Sequence, residues 1–418
     1  MKLNKPKLVV GIAAIFLVGC QTPVKTNPPA NVAQTPAPSS PVVSQPAQVS
    51  GPPVCVSAPT VSEKPVVAAP TYMPSKWEML PNWSTQDLTP SWLALRQSCR
   101  AVKNRPVWQS ICSMAEQVNL KDSAAQHVFF ETWFAPYQVF NADGSEQGLI
   151  TGYYEPLLKG SRQKSDKYRY PIYGVPEDLL EVDLSEVYPQ LKGMRLRGKL
   201  QGRKLVPYYN RAEIDAGMNN FKGRELLWAE NAVDLFFLQI QGSGRIELED
   251  GSQVKIGYAD QNGHPYISIG KKLIEMGELK PEETSMQGIK NWADKNPDRL
   301  ATLLGQNPSF VFFRELPNTL PAPLGALGVP LTNEYSIAVD PRTIPLGTPV
   351  FLSTTQPNSS EPLNRLMHAQ DTGGAIKGAV RADFFWGFGE LAGAQAGRMK
   401  QAGRLWVLFP KGAEPALN

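Results

Sequence analysis

The sequence has 418 residues, enough for two domains or one large one, and a formal net charge of +4. Three of the positive charges belong to Lys2, Lys5 and Lys7, so the rest of the chain is nearly neutral. No run of basic residues occurs, which excludes the usual electrostatic footprint of a nucleic-acid-binding protein. The three histidines lack partners at zinc-ligand spacing, so we expect neither a metal nor a cofactor.

The N-terminus has the pattern of a bacterial lipoprotein signal peptide. An apolar run over residues 8–18 follows the lysines and is too short to span a bilayer. It ends in LVGC at 17–20, which resembles a lipobox, so we expect residues 1–19 to be removed and Cys20 to be lipidated. Gln21 favours sorting to the outer membrane, with the protein on its periplasmic face. The alternative is an ordinary signal peptide with an incidental cysteine.

Residues 20–72 form a segment rich in Pro, Ala, Val, Ser and Thr, with hardly any charge. Such a composition cannot bury a core, so we predict a lipidated, disordered tether that gives the anchored protein reach. A tethered architecture favours a monomer. Further along, Cys99 and Cys112 could pair as a disulfide in an oxidising compartment or remain two buried thiols, and the sequence leaves both open.

The predicted elements change in character along the chain. Periodicity predicts a helix over residues 123–136 with Ser123 as its N-cap, then a strand over 149–154. Next come a helix over 230–239, a glycine turn at 241–244, a strand at 245–248, helices at 267–276 and 285–294, and a strand at 310–313. Short runs between glycine turns then predict strands at 336–339, 349–352, 365–369 and 405–409, which suggest a small closed β-barrel.

Three aspartates mark this C-terminal part. Asp340, Asp371 and Asp383 each lie at or near a predicted strand end beside glycines or aromatics, where a barrel presents groups to a ligand. The aromatic residues 384–386 could desolvate Asp383. The structural alternatives are a turn or cap role for Asp340, a turn-capping role for Asp371, and a solvated loop position for Asp383.

At these residues the sequence resembles the membrane-bound lytic murein transglycosylase A family. The resemblance covers roughly residues 77–410 and rests on long, ordered matches. The matching runs are GYYEP at 152–156, QIQGSG at 239–244, GYADQNGHPY at 257–266, GALGVPLT at 325–332, residues 336–347, DTGGAIKG at 371–378, and the stretch from Asp383 to WVL at 406–408.

The resemblance implies a mainly β fold with a few helices. A double-psi β-barrel domain would be built from residues 73–154 and 316–418, with the three aspartates in the second part. A second, smaller β-domain at 155–315 would be inserted between them, with a substrate groove between the two domains.

The resemblance also implies a lyase that cleaves peptidoglycan glycan strands in cell-wall turnover, an exotransglycosylase with Asp383 as its single catalytic carboxylate. A lytic transglycosylase needs no second carboxylate, because the C6 hydroxyl of N-acetylmuramic acid is the nucleophile and closes a 1,6-anhydro ring. Asp371 and Asp340 would support Asp383. The partners of the protein would be glycan strands, the outer membrane and cell-wall synthesis proteins. The residues themselves do not distinguish endo from exo action or reveal strand-length and stem-peptide preference.

Sugar binding requires aromatic faces and hydrogen-bonding groups, and the matched motifs contain several. The substrate-binding candidates are Thr151, Tyr154, Gln239, Gln241, Ser243, Asn262 and Lys377. Tyr154 could instead be a core residue, and residues 242–244 could be only a tight turn.

Three other functions compete with this hypothesis. An aspartic peptidase would explain DTG at 371–373, but its dyad needs a second Asp-Thr/Ser-Gly motif, which is absent from the sequence. A non-catalytic wall-binding lipoprotein would have the same anchor but no need of Asp383. A hydrolytic muramidase would use a second catalytic carboxylate and release reducing ends.

Overall fold

The computed structural model describes residues 71–191, 194, 196–218, 221 and 224–415. The predicted signal peptide, Cys20 and nearly all of the predicted tether lie outside the described residues. Among the described residues, no helix combines the length and the apolar character needed to cross a membrane.

Strands dominate the described residues. The strands are β1 Tyr72–Pro74, β2 Phe134–Val139, β3 Gly148–Glu155, β4 Leu157–Ser161, β5 Tyr170–Tyr173, β6 Leu180–Glu181, β7 Arg197–Gln201, β8 Lys204–Pro207, β9 Glu225–Ala229, β10 Ser243–Glu247, β11 Gln253–Gln261, β12 Val311–Leu316, β13 Ser336–Val339, β14 Pro349–Thr355, β15 Pro362–Asp371, β16 Arg381–Phe388 and β17 Lys400–Pro410. The helices are α1 Thr89–Val102, α2 Pro106–Gln117, α3 Ser123–Trp133, α4 Arg211–Asp215, α5 Ala232–Gln241, α6 Ile269–Glu275, α7 Met286–Lys295, α8 Pro297–Gly305 and α9 Gly389–Arg398. Short 3-10 turns occur at Trp77–Met79, Trp83–Thr85, Pro189–Leu191 and Pro281–Glu283. The prediction of a mainly β fold with a few helices is confirmed.

Six strands close into a barrel. They pair in the order β17, β14, β15, β13, β16 and β3, and β3 pairs again with the first half of β17. The second half of β17 pairs with β2, which carries β1 at the outer edge. The interior is filled by apolar side chains that alternate along the strands, such as Ile337 and Val339 of β13 and Phe384 of β16.

A second sheet begins where the chain leaves the barrel. Only Pro156 separates β3 from β4, and β4 belongs to a six-stranded sheet in the order β12, β11, β10, β4, β9 and β5. A separate three-stranded sheet contains β6, β7 and β8. The chain leaves the second sheet after Leu316 and enters the barrel again at Ser336, so the second sheet is formed by a continuous part of the sequence.

The helices α1 to α3 cover one side of the barrel. Their aromatic residues, including Trp92 and Phe130, pack with Phe351 of β14 and Trp406 of β17. A disulfide joins Cys99 of α1 to Cys112 of α2, so of the two states that the sequence left open the structure has the disulfide. This link holds α1 to α2, and the buried faces of both helices pack on the same side of the barrel.

Two predicted helices have different ends in the structure. The helix α3 ends at Trp133, and its N-cap is Asp122, whose carboxylate accepts a hydrogen bond from Ala125 N, so the predicted cap at Ser123 is wrong. The helix α5 is shifted two residues towards the C-terminus, because Asn231 caps its start and Gly242 (φ 77°) ends it in the left-handed region. Gln241 is therefore the last helical residue and not part of a turn.

Candidate active site

Asp383 lies within a strand and not at a strand end. It is the third residue of β16, where it pairs with Ala338 of β13 on one side and with Thr151 of β3 on the other. Asp383 is only two residues from the start of β16, so it lies near a strand end as predicted. The same prediction holds for Asp371, the last residue of β15, and for Asp340, which follows β13.

Strand alternation decides which aromatic residues surround Asp383. Phe384 and Trp386 pack against the barrel core, on the opposite face of β16 from Asp383. Phe385 lies on the same face as Asp383 and packs against Tyr153, with ring centroids 5.1 Å apart. Of the three aromatics that the sequence offered as desolvating neighbours, only Phe385 therefore shares the face of Asp383.

Asp383 forms a short hydrogen bond at this face. The hydroxyl of Thr151 donates to Asp383 Oδ1 over 2.6 Å. Burial raises the pKa of Asp383 to about 6, although the Thr151 hydrogen bond and the positive charge of Arg381 lower it, while the negative charge of Asp371 raises it. A carboxyl with a pKa of about 6 is roughly one-tenth protonated at pH 7, on the order of a hundredfold more than an ordinary aspartic acid, and a general acid requires this protonated form.

Asp371 lies two strands away from Asp383. Both residues flank Ala338 in register, and since neighbouring strands are about 4.8 Å apart, their Cα atoms are roughly 10 Å from each other. Asp371 Oδ2 accepts a hydrogen bond from the Tyr153 hydroxyl over 3.0 Å, and Oδ1 accepts from the backbone of Ala326 and Thr372. The buried Tyr153 thus joins Asp371 to the face that carries Asp383, and burial raises the pKa of this phenol well above 10.

Asp340 has the geometry of a structural brace. Its buried carboxylate accepts hydrogen bonds from the Arg342 side chain and from the backbone N–H groups of Arg342 and Gly378. These bonds, the Arg342 side chain first, lower the pKa of Asp340 to about 2, so it is ionised at neutral pH. The bond to Gly378 holds the loop that leads from Asp371 to Asp383 and carries the exposed Lys377.

Tyr154 and Gln241 meet where β3 leaves the barrel. Gln241 Oε1 accepts a hydrogen bond from Tyr154 N over 3.0 Å, and the Tyr154 hydroxyl faces Met286 Sδ of α7 at 3.7 Å. Burial raises the pKa of Tyr154 to about 12. Ser243 opens β10 two residues after Gln241 and stays partly exposed. Tyr154 is three residues beyond Thr151, or about 10 Å along the strand, and strand alternation places it on the opposite face of β3 from Thr151. Its ring packs against α9, where a Cβ on Gly393 would lie 2.8 Å from it.

Two residues that were predicted to contact substrate, Asn262 and Gln239, are buried in the part of the chain that forms the second sheet. Asn262 is fully buried; its amide donates to the carbonyls of Tyr209 and Pro308 and accepts from Phe310 N. Gln239 is buried and accepts from the Arg211 guanidinium. Because both amide atoms of Asn262 are occupied by the protein itself, the structure argues against the prediction that Asn262 binds substrate. Only Oε1 of Gln239 is engaged in this way, so substrate binding by Gln239 stays a prediction.

Two residues of the site were not among the predicted ones. Tyr153 is two residues after Thr151, and Arg381 is two residues before Asp383, so the period of a strand places each pair on one face. That period was the available signal, but β16 itself was not predicted. Within the described ranges, no group of three or more His, Cys, Asp or Glu side chains could hold a metal ion.

Two family models match this chain. The "MltA specific insert domain" matches residues 149–314, which include the second sheet except the last two residues of β12, and the "3D domain" matches residues 335–409, which include the three aspartates. The matched segments therefore contain every residue of the candidate site.

Relatives and solved structures agree with these matches. The membrane-bound lytic murein transglycosylase A of Escherichia coli K12 is 37% identical over 279 residues, which are 65% of this chain and 68% of that protein. The crystal structure of MltA from Neisseria gonorrhoeae is 42% identical, with a TM-score of 0.72 over 83% of this chain and 94% of that one. The structure of E. coli MltA with bound chitohexaose is 31% identical, with a TM-score of 0.60 over 79% and 90% of the two chains.

Proposed function

This chain belongs to the membrane-bound lytic murein transglycosylase A family, and from that premise we propose that it is a lytic transglycosylase. It cleaves the β-1,4 bond between N-acetylmuramic acid and N-acetylglucosamine in peptidoglycan and leaves 1,6-anhydromuramic acid ends. The cell uses this reaction in turnover and remodelling of its wall.

Asp383 is the single acid and base of the reaction. Its protonated carboxyl donates to the glycosidic oxygen, and the bond between that oxygen and muramoyl C1 breaks. The C6 hydroxyl of the same muramoyl residue then bonds to C1, and its proton passes to the Asp383 carboxylate, which restores the acid. Because the nucleophile belongs to the substrate, the protein need not hold a water molecule or a second carboxylate.

The observation that supports this role most directly is the raised pKa of Asp383, about 6, on a strand face that also carries Thr151 and Asp371. Asp340 has the opposite electrostatics, since its pKa is about 2 and it remains a carboxylate at neutral pH. Asp371 supports Asp383 through its negative charge and through Tyr153, whereas Asp340 supports it by holding the loop before β16.

The substrate lies along the barrel face that carries Asp383 and the adjoining edge of the second sheet. Tyr154, Gln241 and Ser243 provide one aromatic ring and polar groups where β3 leaves the barrel, and Lys377 provides a positive charge on the loop before β16. The bound chitohexaose in the related E. coli structure supports an oligosaccharide as the ligand of this protein. Thr151 acts on Asp383 instead of on the sugar.

The domain organisation and location complete the proposal. The closed barrel is of the double-psi type, residues 155–315 form the inserted domain, and the groove runs between them. Relatives are named membrane-bound, which supports a lipid anchor at Cys20 on the periplasmic side of the outer membrane, with residues 20–72 as the tether. The protein acts as a monomer and meets cell-wall synthesis proteins there.

Digestion of purified peptidoglycan tests this function. The full-length protein in detergent should release muropeptides that mass spectrometry places about 18 Da, one water, below hydrolytic products, as expected for a reaction without water. Asp383→Asn should reduce the rate by a factor of at least about 10², the lower range for a general acid. The matched variant Asp294→Asn, in α7, should retain full activity.

The competing functions give different products. Hydrolytic masses would establish a muramidase, whereas an intact glycan with retained binding would establish a wall-binding module. Sensitivity to pepstatin together with cleaved protein substrates would establish a peptidase. Full activity of Asp383→Asn with anhydro products would place the acid elsewhere.

A further inference from the structure

The guanidinium of Arg381 lies beside the hydroxyl that contacts Asp383. Arg381 Nη2 donates to Thr151 Oγ1 over 2.9 Å, and Thr151 Oγ1 donates to Asp383 Oδ1 over 2.6 Å. Arg381 Nη1 also donates to the carbonyls of Leu149 and Ala382, which fixes the guanidinium in place. The three side chains share one face, since Arg381 and Asp383 are two residues apart on β16 and Asp383 pairs with Thr151.

The chemistry of the donors fixes the direction of these two hydrogen bonds. A guanidinium has N–H donors and no acceptor, so Thr151 Oγ1 must accept from Arg381. The hydroxyl proton of Thr151 is then free to point only at the other neighbour, Asp383 Oδ1. Among the described residues, no side chain or backbone group donates to Asp383 Oδ2. The two carboxyl oxygens are therefore not equivalent.

We propose that Arg381 is a positioning residue, which orients the Thr151 hydroxyl towards Asp383 Oδ1 and so makes Oδ2 the oxygen that carries the transferable proton. This inference rests on the proposed role of Asp383 as the acid. It adds that Arg381, through Thr151, determines which oxygen of the Asp383 carboxyl carries the proton. Without Arg381 the Thr151 hydroxyl can rotate away, and either oxygen of Asp383 can carry the proton.

The charged and titratable groups around Asp383 determine how a variant changes its titration. Arg381 comes from β16 itself, Tyr153 from β3 and Asp371 from the end of β15. Lys400 of β17 pairs in register with Thr151, and β13 contributes the neutral Ala338. Both the Arg381 charge and the Thr151 hydrogen bond lower the pKa of Asp383. Removing either group should therefore raise that pKa and move the alkaline limb of the rate profile to higher pH, because the acid stays protonated longer.

A set of variants of the full-length protein tests the proposal through the pH profile of glycan cleavage. Arg381→Met and Thr151→Val should each lower the maximal rate by about tenfold and move the alkaline limb to higher pH. Thr151→Ser keeps the hydroxyl and should keep the wild-type profile. Arg398→Met removes an exposed arginine from α9 and should also leave the profile unchanged. A lower rate with an unmoved limb would mean that Arg381 is only structural.

The double variant decides whether Arg381 acts through Thr151. If it does, Arg381→Met combined with Thr151→Val should lower the rate no more than about threefold below the slower single variant, since both remove the same interaction. Effects that multiply to about a hundredfold would overturn the proposal. Thr151→Val is nearly isosteric, so the pH profile of this variant tests the proposal even where Arg381→Met does not fold.

Asp383→Asn, assayed in parallel, separates this proposal from the proposed function. If Asp383→Asn is inactive and the double variant is multiplicative, the acid is correctly assigned and only the orienting role of Arg381 fails. If Asp383→Asn is fully active, the acid itself is wrongly assigned.

Discussion

At the level of single residues, the burial of Asp383 opposes folding at the pH where the protein works. The pKa of this carboxyl is about 6 in the folded chain against an ordinary value of 3.8. Between these two pH values the folded state binds more protons than the unfolded state, so stability falls as pH rises, and above about 6 the full penalty applies. The same burial that provides a general acid therefore destabilises the fold.

This conflict predicts that Asp383→Asn is more stable than the wild type at alkaline pH. A neutral amide avoids the penalty of a buried charge, so the free energy of unfolding at pH 8 should rise by about 1–3 kcal/mol, with little change near pH 4. Chemical denaturation at both pH values measures it. Equal stability at pH 8 would show that the negative charge of Asp383 is not penalised by the fold.

Asp340→Asn provides a control in which the free energy of unfolding should change in the opposite direction. The pKa of Asp340 is lowered to about 2, so its charge stabilises the fold at neutral pH, and that contribution is lost as pH falls through this value. The substitution should therefore destabilise the protein at pH 8, where Asp383→Asn stabilises it. The opposite signs distinguish a tuned acid from an ionised brace.

At the level of elements, the approach of α9 to β3 depends on the absence of a side chain at Gly152. A Cβ there would lie 2.7 Å from Trp386 Nε1 and 2.9 Å from Ala396 Cα. Both distances are shorter than a carbon atom tolerates, so β3 or α9 must move. Thr151, which contacts Asp383, is the neighbouring residue and would move with the strand.

We therefore predict that Gly152→Ala lowers the free energy of unfolding by about 1–3 kcal/mol and also lowers the rate of glycan cleavage. Gly397→Ala is the matched control, because Gly397 lies in α9 with nothing within 4 Å of its added Cβ. That variant should gain up to about 1 kcal/mol and keep its activity. Denaturation curves and cleavage rates of the two variants test this, and a Gly152→Ala protein as stable as Gly397→Ala would contradict it.

The sequence predicted those elements whose polar and apolar pattern can be recognised from neighbouring residues alone. The strand β13 was predicted with its observed bounds, because it forms a compact apolar run between turns. The strand β16 was not, because its polar–apolar alternation stops after Asp383, where Phe385 occupies the polar face beside the core residues Phe384 and Trp386. The helix α1 was also not predicted; its buried face includes Ser91 and Ser98, which bond to His368 and Gln370 of the distant β15.

The same distinction applies to the site. Asp383 could be chosen from its motif, but the sequence could not determine whether a polar residue in a motif faces the ligand or the interior. Asn262 and Gln239 bond to Pro308 and Arg211, residues far away in the sequence, so only the fold reveals these contacts. Conversely, Arg381 has a role only because β3 and β16 are neighbours.

At the scale of the whole molecule, an ion pair connects the barrel to the second sheet. Glu155, the last residue of β3, is 2% exposed and accepts hydrogen bonds from Arg245 of β10 over 2.9 and 3.1 Å. The same guanidinium lies 3.7 Å from the ring centroid of Phe388, the last residue of β16. Arg245 therefore contacts both barrel strands that hold the candidate site, and the Glu155 carboxylate depends on it for charge compensation.

This arrangement predicts unequal effects of removing one or both partners. Arg245→Met leaves a buried, unpaired carboxylate and should cost about 3–5 kcal/mol, whereas Glu155→Gln together with Arg245→Met should recover at least about half of that loss, because no buried charge remains. Calorimetry of the two variants measures the difference. Equal losses would mean that Arg245 acts by packing on Phe388 alone. If the double variant is stable but cleaves glycan slowly, the ion pair holds the second sheet in the orientation that cleavage requires, beyond its contribution to folding.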